Sequence, residues 1–288
     1  MKAIVLGYGS IGKRHAENLF GMGIETAVYD PGVPEHANLD WEQQAEGQMV
    51  FVCSPTKFHA GQTLAAIHAG AKAVYVEKPP AVTAEAWRDV VAVGEKAHVK
   101  IAVGYNWRFY IGAENLRVVQ DQITEIQITA IDDVFDWPTF GPQSYAVDKQ
   151  GGGVLLTSAS HGLDLLVHLF GPGKVKRALV SRGAHAFQGV DAAMIAEIEH
   201  EKCNSRIVVA WAGPPCLSSV LARFSSGQGF YVDFMHESWK QEREHGMHLA
   251  CLKAFVDWAD DGEPGLLCTG EQATHSMDLI EQCRVLSS

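Results

Sequence analysis

The sequence predicts an α/β protein of two domains: a doubly wound parallel sheet at the N-terminus, then an α+β domain with an open, mostly antiparallel sheet. Short apolar strands alternate with helices over the first hundred residues, which is typical of repeated βαβ units. After about Gly104, strand-like runs follow one another at hairpin spacing. The 288 residues suffice for two domains, which we place at residues 1–104 and 105–288. Whether the last helix packs back at the domain junction stays open.

A glycine-rich loop lies between the first strand and the first helix. Residues 3–6 form an apolar run, residues 7–12 have the sequence GYGSIG, and residues 13–19 have the pattern of a helix. A second strand ends in an aspartate about twenty residues on. The glycines permit a tight turn, approach of the backbone to a pyrophosphate, and close packing of a helix whose N-terminus attracts phosphate. This Rossmann motif predicts cofactor contacts at Gly7, Tyr8, Gly9, Ser10, Ile11, Gly12 and Asp30.

The aspartate at the end of the second strand indicates which cofactor binds. A carboxylate at Asp30 would accept hydrogen bonds from ribose hydroxyls and repel a 2′-phosphate, which favours NAD over NADP. NADP stays open because Lys13 or Arg14 lies close enough in sequence to approach a 2′-phosphate. The alternatives are a solvated turn residue at Asp30 and a plain glycine turn of some other α/β protein.

Two further strand ends in the first domain carry polar residues. Ser54, Pro55, Thr56 and His59 follow the strand at residues 48–53, where they would contact the ribose or nicotinamide of the cofactor. The alternative is a turn followed by a helix cap, with a structural histidine. The pair Glu77 and Lys78 follows the strand at residues 73–76 and precedes two prolines.

Lys78 is the first candidate for catalysis. Pro79 favours extended backbone at the preceding residue, so the lysine would project from the carboxyl edge of the sheet toward the cofactor. An ammonium group there stabilises a developing alkoxide. In this interpretation Glu77 and Lys78 also contact the cofactor. The alternative is a surface lysine paired with Glu77.

Residues 104–109, GYNWRF, follow the last strand of the first domain. Polar and aromatic groups at a domain junction suit substrate binding. We predict substrate contacts from Asn106 and Arg108 and core packing from Trp107 and Phe109. The alternative is packing at the hinge alone.

The second domain begins with the sequence ITEIQITAI at residues 123–131, which alternates as a half-buried strand does. Residues 132–153 form a long polar loop, which we expect to be functional or a lid. Further strands are predicted at residues 175–181, 194–200, 206–211, 220–224 and 229–234, and helices at 153–169, 247–259 and 270–286. The exposed face of such a sheet is a candidate oligomer surface.

The helix predicted at residues 153–169 carries the second candidate for catalysis. Thr157, His161 and Asp164 would share one face at spacings of four and three. An imidazole is the usual general base near neutral pH, so His161 is the candidate base, with Thr157 and Ser158 as substrate contacts. The alternative is a structural histidine.

The composition excludes several classes of function. A net charge of −11 disfavours binding to nucleic acid or to membranes, and the apolar fraction of 47% is that of a globular protein. The chain lacks a long apolar segment or a signal-peptide pattern, so we expect a cytoplasmic protein. The six cysteines are expected to be free thiols, and the thirteen histidines show no metal-binding spacing, so no metal is predicted.

Taken in order, these motifs resemble the glucose-fructose oxidoreductase / inositol dehydrogenase (Gfo/Idh/MocA) family. The resemblance covers nearly the whole chain. It is carried by GYGSIGKRHAENL, VFVCSPTKFH, VEKPP, GYNWRF, the GGGVLL segment with its later H and DLL, and the closing FVDWADDGEP and TGEQATHSMDLIEQC.

The resemblance implies NAD- or NADP-dependent oxidation of a hydroxyl on a sugar, inositol or related polyol. It implies that Lys78 assists catalysis, that His161 is the acid/base, and that the protein forms dimers or tetramers. The family often has an aspartate four residues before the histidine, where this chain has Thr157, so a Lys–Asp–His relay is incomplete. Pro80 also stands where a large aliphatic residue is more usual. A non-enzymatic cofactor-binding sensor, or a reductase of another carbonyl or double bond, are the alternatives.

Overall fold

The computed structural model describes residues 1–132, 152–182, 190–212, 216–233 and 246–287. They divide into two units, the first made of Met1–Tyr105 with Leu249–Thr274 and the second of Asn106–His248 with His275–Ser288. The sequence-based boundaries placed residues 249–274 in the second domain. They join the first unit because their apolar side chains are buried there: the ring of Phe255 lies 5.3 Å from that of Phe51 and 5.4 Å from that of Tyr75, centroid to centroid.

A six-stranded sheet forms the first unit, and it confirms the predicted doubly wound parallel sheet. Five strands are parallel: β1 (Lys2–Leu6), β2 (Glu25–Tyr29), β3 (Met49–Val52), β4 (Ala73–Val76) and β5 (Lys100–Val103). They lie in the order 5-4-3-1-2, and the two-residue strand Cys268–Thr269 pairs antiparallel with β5. The strand order reverses at β1, and ligands of such sheets bind beyond the carboxyl ends at this point.

Helices connect the parallel strands because each crossover must return to the same end of the sheet. They are α1 (Ser10–Gly21), α2 (Trp41–Gln44), α3 (His59–His68) and α4 (Ala84–Ala97). All residues of β3 and β4 are buried, as expected for strands covered on both faces.

The second unit contains a six-stranded sheet that is antiparallel apart from one pair of strands, as predicted. Its strands are β6 (Ile123–Asp132), β7 (Gly173–Arg182), β8 (Asp191–His200), β9 (Asn204–Trp211), β10 (Leu217–Phe224) and β11 (Gly229–Asp233). The order is 11-10-6-9-8-7, and the pair β6 and β9 is parallel. The other helices are α5 (Ile111–Val119), α6 (Ser160–Phe170), α7 (Met247–Ala259) and α8 (Gly270–Leu286), the last two shared between the units.

Helix α6 packs closely on one face of this second sheet. A Cβ at Gly162 would lie 2.6 Å from the Cδ1 of Ile207, so a larger residue would require the side chain of Ile207 to shift. The opposite face carries exposed apolar side chains, among them Leu179, Leu221 and Tyr231.

The helix predicted at residues 153–169 is not one α-helix. A π-helical turn spans Leu155–Ala159 and α6 begins only at Ser160. The predicted loop at residues 132–153 lies almost wholly outside the described residues. Within the described ranges no helix is both long enough and apolar enough to cross a membrane.

Candidate active site

The loop between β1 and α1 has the geometry that the three glycines predict. Gly7 has a φ of +96°, and a Cβ there would lie 2.7 Å from the backbone nitrogen of Ser54. A Cβ on Gly12 would overlap the carbonyl oxygen of Gly7, so the helix touches the turn. Among the described residues, nothing lies within 4 Å of a Cβ built on Gly9. Gly9 is the N-cap of the twelve-residue helix α1, so the backbone there is open to an approaching anion.

Asp30 closes this loop from the end of β2. Its Oδ2 accepts a hydrogen bond from the backbone N–H of Tyr8 at 2.7 Å, and its Oδ1 accepts one from Gly32 at 2.8 Å. The Nζ of Lys13 lies 5.3 Å from the centre of the Tyr8 ring. Asp30 therefore shapes the loop through both oxygens, and a carboxylate has further lone pairs for ribose hydroxyls. Ser10 is exposed and Ile11 half-buried at the start of α1.

The residues after β3 separate into surface and interior positions. Ser54 donates a hydrogen bond from its Oγ to the Oε1 of Gln62 at 2.6 Å, Pro55 is exposed, and Thr56 begins a short 3-10 turn. His59 is 2% exposed, and its ring nitrogens lie 2.6 Å from the carbonyl oxygen of Ser54 and 2.7 Å from that of Pro79. Both ring nitrogens of His59 thus face backbone carbonyls in the interior, and its predicted contact with the cofactor stays a prediction.

Glu77 points into the protein rather than toward a surface lysine. Its Oε1 lies 2.7 Å from the Nε2 of His15, which is fully buried, and its Oε2 accepts the N–H of Lys78 at 3.3 Å. A Cβ at Gly104 would lie 3.0 Å from the Oε1 of Glu77, so the carboxylate is tightly enclosed. The side chain of Lys78 is half-buried at the carboxyl edge of the sheet. Glu77 therefore holds the backbone of Lys78 through its carboxylate, which is itself held by His15. The sequence did not predict this role.

In the second unit, Gly153 lies two residues before the π-helical turn and has a backbone conformation that other residues rarely adopt. Gly153 has a φ of +96°, and a Cβ there would overlap the carboxylate of Asp191. That carboxylate accepts the N–H of Leu155 at 2.6 Å. Thr157 is 2% exposed and donates from its Oγ1 to the carbonyl oxygen of Gly153 at 2.6 Å. The hydroxyl of Thr157 is thus a structural donor.

His161 follows directly on this turn and stacks on an aromatic ring. Its ring centroid lies 5.1 Å from that of Trp107, with 11° between the planes. Asp164, predicted on the same face as His161, is instead paired with Arg108, whose Nε and Nη2 each lie 2.7 Å from a carboxylate oxygen. Thr157 lies in the π-turn, whereas His161 and Asp164 lie in α6, and the three side chains take different partners.

Arg108, predicted as a substrate contact, is held by Asp164 in the interior, and the predicted contact stays a prediction. The side chains of Arg108 and Asp164 are each 1% exposed, so the guanidinium is closed from solvent. Ser158 is also mostly buried, and its Oγ accepts a hydrogen bond from the Nε1 of Trp211 at 3.0 Å. Because Arg108 and Ser158 are buried and bonded to Asp164 and Trp211, both side chains stabilise the second unit.

Asn106 lies beside Trp107 in the 3-10 turn Asn106–Phe109. Its Nδ2 lies 3.0 Å and 3.1 Å from the two ring nitrogens of His248, on α7. Its Oδ1 is buried and has no hydrogen-bond partner among the described residues. A buried acceptor of this kind is a place where a hydroxyl donor from a substrate would bind.

The sequence missed His15, Asp191 and His248. His15 lies three residues after Gly12 on the buried side of α1, and this spacing was a usable signal. The other two lie on β8 and α7, far in sequence from their partners, and no local pattern connects them to the site. His245, which lies three residues before His248 in the sequence, is outside the described residues. In the described part of the chain no cluster of metal-ligating side chains is present.

Residues 1–105 match the model of a family described as "Oxidoreductase family, NAD-binding Rossmann fold". The curated D-glucoside 3-dehydrogenase of Escherichia coli (strain K12) is 34% identical over 149 residues, which are 49% of this chain and 40% of that protein. The inositol 2-dehydrogenase of Rhizobium meliloti (strain 1021) is 28% identical over 183 residues, 58% of this chain and 54% of that protein. The chain thus spans about half the length of the curated relatives it matches.

A solved structure extends the likeness over both units. The structure of myo-inositol 2-dehydrogenase from Lactobacillus plantarum matches with a TM-score of 0.83, covering 100% of this chain and 97% of that one. The sequences are 17% identical in this alignment, so the likeness shows the fold alone.

Proposed function

We propose that the chain belongs to the Gfo/Idh/MocA family of NAD-binding oxidoreductases, whose model its residues 1–105 match, and that it is an NAD(P)-dependent dehydrogenase or reductase acting on CH–OH groups. The observation that carries the proposal is the geometry of the glycine loop. Gly9 leaves open space at the N-terminus of α1 where an anion binds, while Gly7 and Gly12 keep the loop tight.

The glycine loop and Asp30 would hold the cofactor. Backbone N–H groups at the start of α1 neutralise a pyrophosphate, and the carboxylate of Asp30 accepts ribose hydroxyls. When bound, the nicotinamide supplies the acceptor or donor of a hydride. The absence of an acidic side chain from the first turn of α1 keeps this end of the helix positive.

Two residues carry the proton and charge chemistry in this proposal. His161 accepts the proton of the substrate hydroxyl as its carbon loses hydride, and Lys78 stabilises the negative charge that develops on the oxygen. Stacking on Trp107 holds the imidazole in one plane. Because Thr157 is a hydrogen-bond donor to Gly153, the proton transfer does not depend on a carboxylate at that position.

NAD is the preferred cofactor in this proposal because the charge at Asp30 repels a 2′-phosphate. Lys13, which lies over the ring of Tyr8, is the group through which NADP would bind instead. The substrate is a sugar, an inositol or a related polyol, since the matched relatives are named as dehydrogenases of a D-glucoside and of inositol.

A non-enzymatic cofactor-binding sensor is the second candidate. The buried hydroxyl of Thr157 in place of an acid favours it. The half-buried Lys78 and the stacked His161 favour the enzyme, because a sensor would need neither group.

We also propose a cytoplasmic homodimer or homotetramer. Free thiols at all six cysteines suit a reducing compartment. The outer face of the second sheet would form the contact, since Leu179, Leu221 and Tyr231 are 66%, 53% and 58% exposed there.

The proposal is tested by measuring NADH and NADPH formation across sugars, sugar acids, inositols and nucleotide sugars, with NAD and NADP in parallel. We expect turnover on at least one polyol, with NAD preferred. Cofactor binding without turnover on the whole panel would support the sensor.

A further inference from the structure

Two buried histidines hold the residues on either side of Lys78. On one side, the Nε2 of His15 lies 2.7 Å from the Oε1 of Glu77. On the other side, the Nδ1 of His59 lies 2.7 Å from the carbonyl oxygen of Pro79. His15 is 0% exposed and His59 2% exposed, so neither ring faces a ligand.

His59 also connects the ends of two neighbouring strands. Its Nε2 lies 2.6 Å from the carbonyl oxygen of Ser54, which follows β3, while its Nδ1 faces Pro79, which follows β4. The Oγ1 of Thr63 donates to the carbonyl oxygen of His59 at 2.8 Å and holds the first turn of α3. The imidazole therefore sets the distance between the two loops that border the cofactor edge of the sheet.

We propose that His59 is a positioning residue for Lys78, acting through its contact with the carbonyl of Pro79. The inference rests on the proposed function, in which Lys78 stabilises charge on the substrate oxygen. It differs from the predicted role of His59 as a cofactor contact, because the ring is turned toward backbone carbonyls of its own unit.

The protonation of the ring does not change this role. A neutral imidazole donates one N–H and the imidazolium donates two. Burial lowers the pKa of His59, against the opposing effect of its contacts with the carbonyls of Pro79 and Ser54. In either form the ring fills the space between the two loops, and a proton on Nδ1 fixes the residue that follows Lys78.

Two substitutions separate the contacts of His59. The amide nitrogen of asparagine lies near the position of a histidine Nδ1, and that of glutamine near the position of Nε2. His59→Asn therefore keeps a donor toward Pro79, and His59→Gln keeps a donor toward Ser54. Each variant keeps a donor toward one carbonyl and gives up the contact with the other, so their free energies of unfolding should be similar.

His200 offers a matched control in the second unit. Its ring nitrogens also have two partners, the carbonyl oxygen of Gly171 and the Oγ of Ser205, each at 3.0 Å. It is 5% exposed, and burial lowers its pKa as it does that of His59. His200→Gln therefore reports the general effect of losing a buried histidine whose two ring nitrogens both have partners.

The test is the acetylation rate of Lys78 in the full-length protein, measured by mass spectrometry with limiting N-hydroxysulfosuccinimide acetate. The exposed Lys174 serves as the internal reference. A displaced amine changes its exposure and pKa, so His59→Gln should change the relative rate by about threefold or more. His59→Asn and His200→Gln should stay within about twofold of the wild-type protein.

Turnover provides the second readout. With a substrate from the panel, His59→Gln should lower kcat about tenfold or more and leave the Kd for NAD nearly unchanged. In the Lys78→Ala background the same substitution should have little further effect, since it acts through the lysine.

The inference would be overturned if Lys78 were acetylated at the same relative rate in the wild-type protein, His59→Gln and His59→Asn. It would also be overturned if His200→Gln changed the relative rate as much as His59→Gln does. The labelling needs no turnover, so it tests the position of Lys78 even where the panel yields no substrate. Failure of the proposed function is recognised separately, as cofactor binding without turnover by the wild-type protein.

Discussion

The guanidinium of Arg108 lies 2.7 Å from both carboxylate oxygens of Asp164, through its Nε and its Nη2, in the interior of the second unit. The Oγ of Ser276 donates a third hydrogen bond to this carboxylate at 3.2 Å. The pair joins the 3-10 turn that carries Trp107 to helix α6, which carries His161. It therefore supports the two rings that stack on each other.

Breaking this pair should destabilise the second unit. Asp164→Asn leaves a buried guanidinium without its counter-charge, which costs about 3–5 kcal/mol. The double variant Arg108→Met/Asp164→Leu removes both charges and should cost clearly less than the single one. Urea unfolding of both variants measures the difference. A single variant as stable as the double variant would show that the charges are not coupled.

Features that depend on residues close together in the sequence could be predicted before the structure was known. The glycine loop, the alternation of strands and helices, and the positions of Lys78 and His161 all follow from spacing within about thirty residues. The pairing of Arg108 with Asp164 and that of His15 with Glu77 join residues 56 and 62 positions apart, and no short pattern encodes them. The π-turn at Leu155–Ala159 was missed because its apolar residues fit an α-helix equally well.

Gly9→Ala should weaken NAD binding without destabilising the fold. The added methyl group meets no protein atom within 4 Å among the described residues, and φ is −71°, so alanine fits the backbone. We expect the Kd for NAD to rise about tenfold or more, near 1.4 kcal/mol, with the free energy of unfolding within about 1 kcal/mol of wild type. Titration calorimetry and urea unfolding measure the two effects.

Gly21→Ala is the control for that substitution, because Gly21 ends α1 and also faces open space. It should leave NAD binding unchanged. Similar NAD affinities for Gly9→Ala and the wild-type protein would contradict a pyrophosphate at this loop.

Asp30→Asn should shift the preference between cofactors. The amide removes the charge that repels a 2′-phosphate but keeps an oxygen for the N–H of Tyr8. The ratio of Kd values for NADP and NAD should fall about tenfold or more. Glu35→Gln removes an exposed charge from the neighbouring 3-10 turn and should leave the ratio unchanged. An unchanged ratio in Asp30→Asn would mean that Asp30 does not select the cofactor.

His168 should make the protein sensitive to acid. Burial, together with the nearby charge of Arg108, lowers the pKa of His168 to about 4. The unfolded chain therefore binds a proton near pH 6.5 that the folded protein resists, so stability is lost as the pH falls from about 6.5 to 4.

His168→Gln should reduce the difference in unfolding free energy between pH 7 and pH 4 by on the order of 2 kcal/mol, a figure discounted for the partial exposure of the ring. Urea unfolding at several pH values measures this difference. His68→Gln, at an exposed position of α3, is the control for loss of a histidine. Equal pH dependence in His168→Gln and the wild-type protein would place the acid sensitivity elsewhere.

We propose that Lys78 and His161 carry out a hydroxyl oxidation with a cofactor bound at the glycine loop. The decisive measurement is kcat for Lys78→Ala and His161→Ala on a substrate found in the panel, with the Kd for NAD measured beside it. Each substitution should lower kcat about 10²-fold or more while NAD affinity changes little. Full turnover in both variants would contradict this proposal.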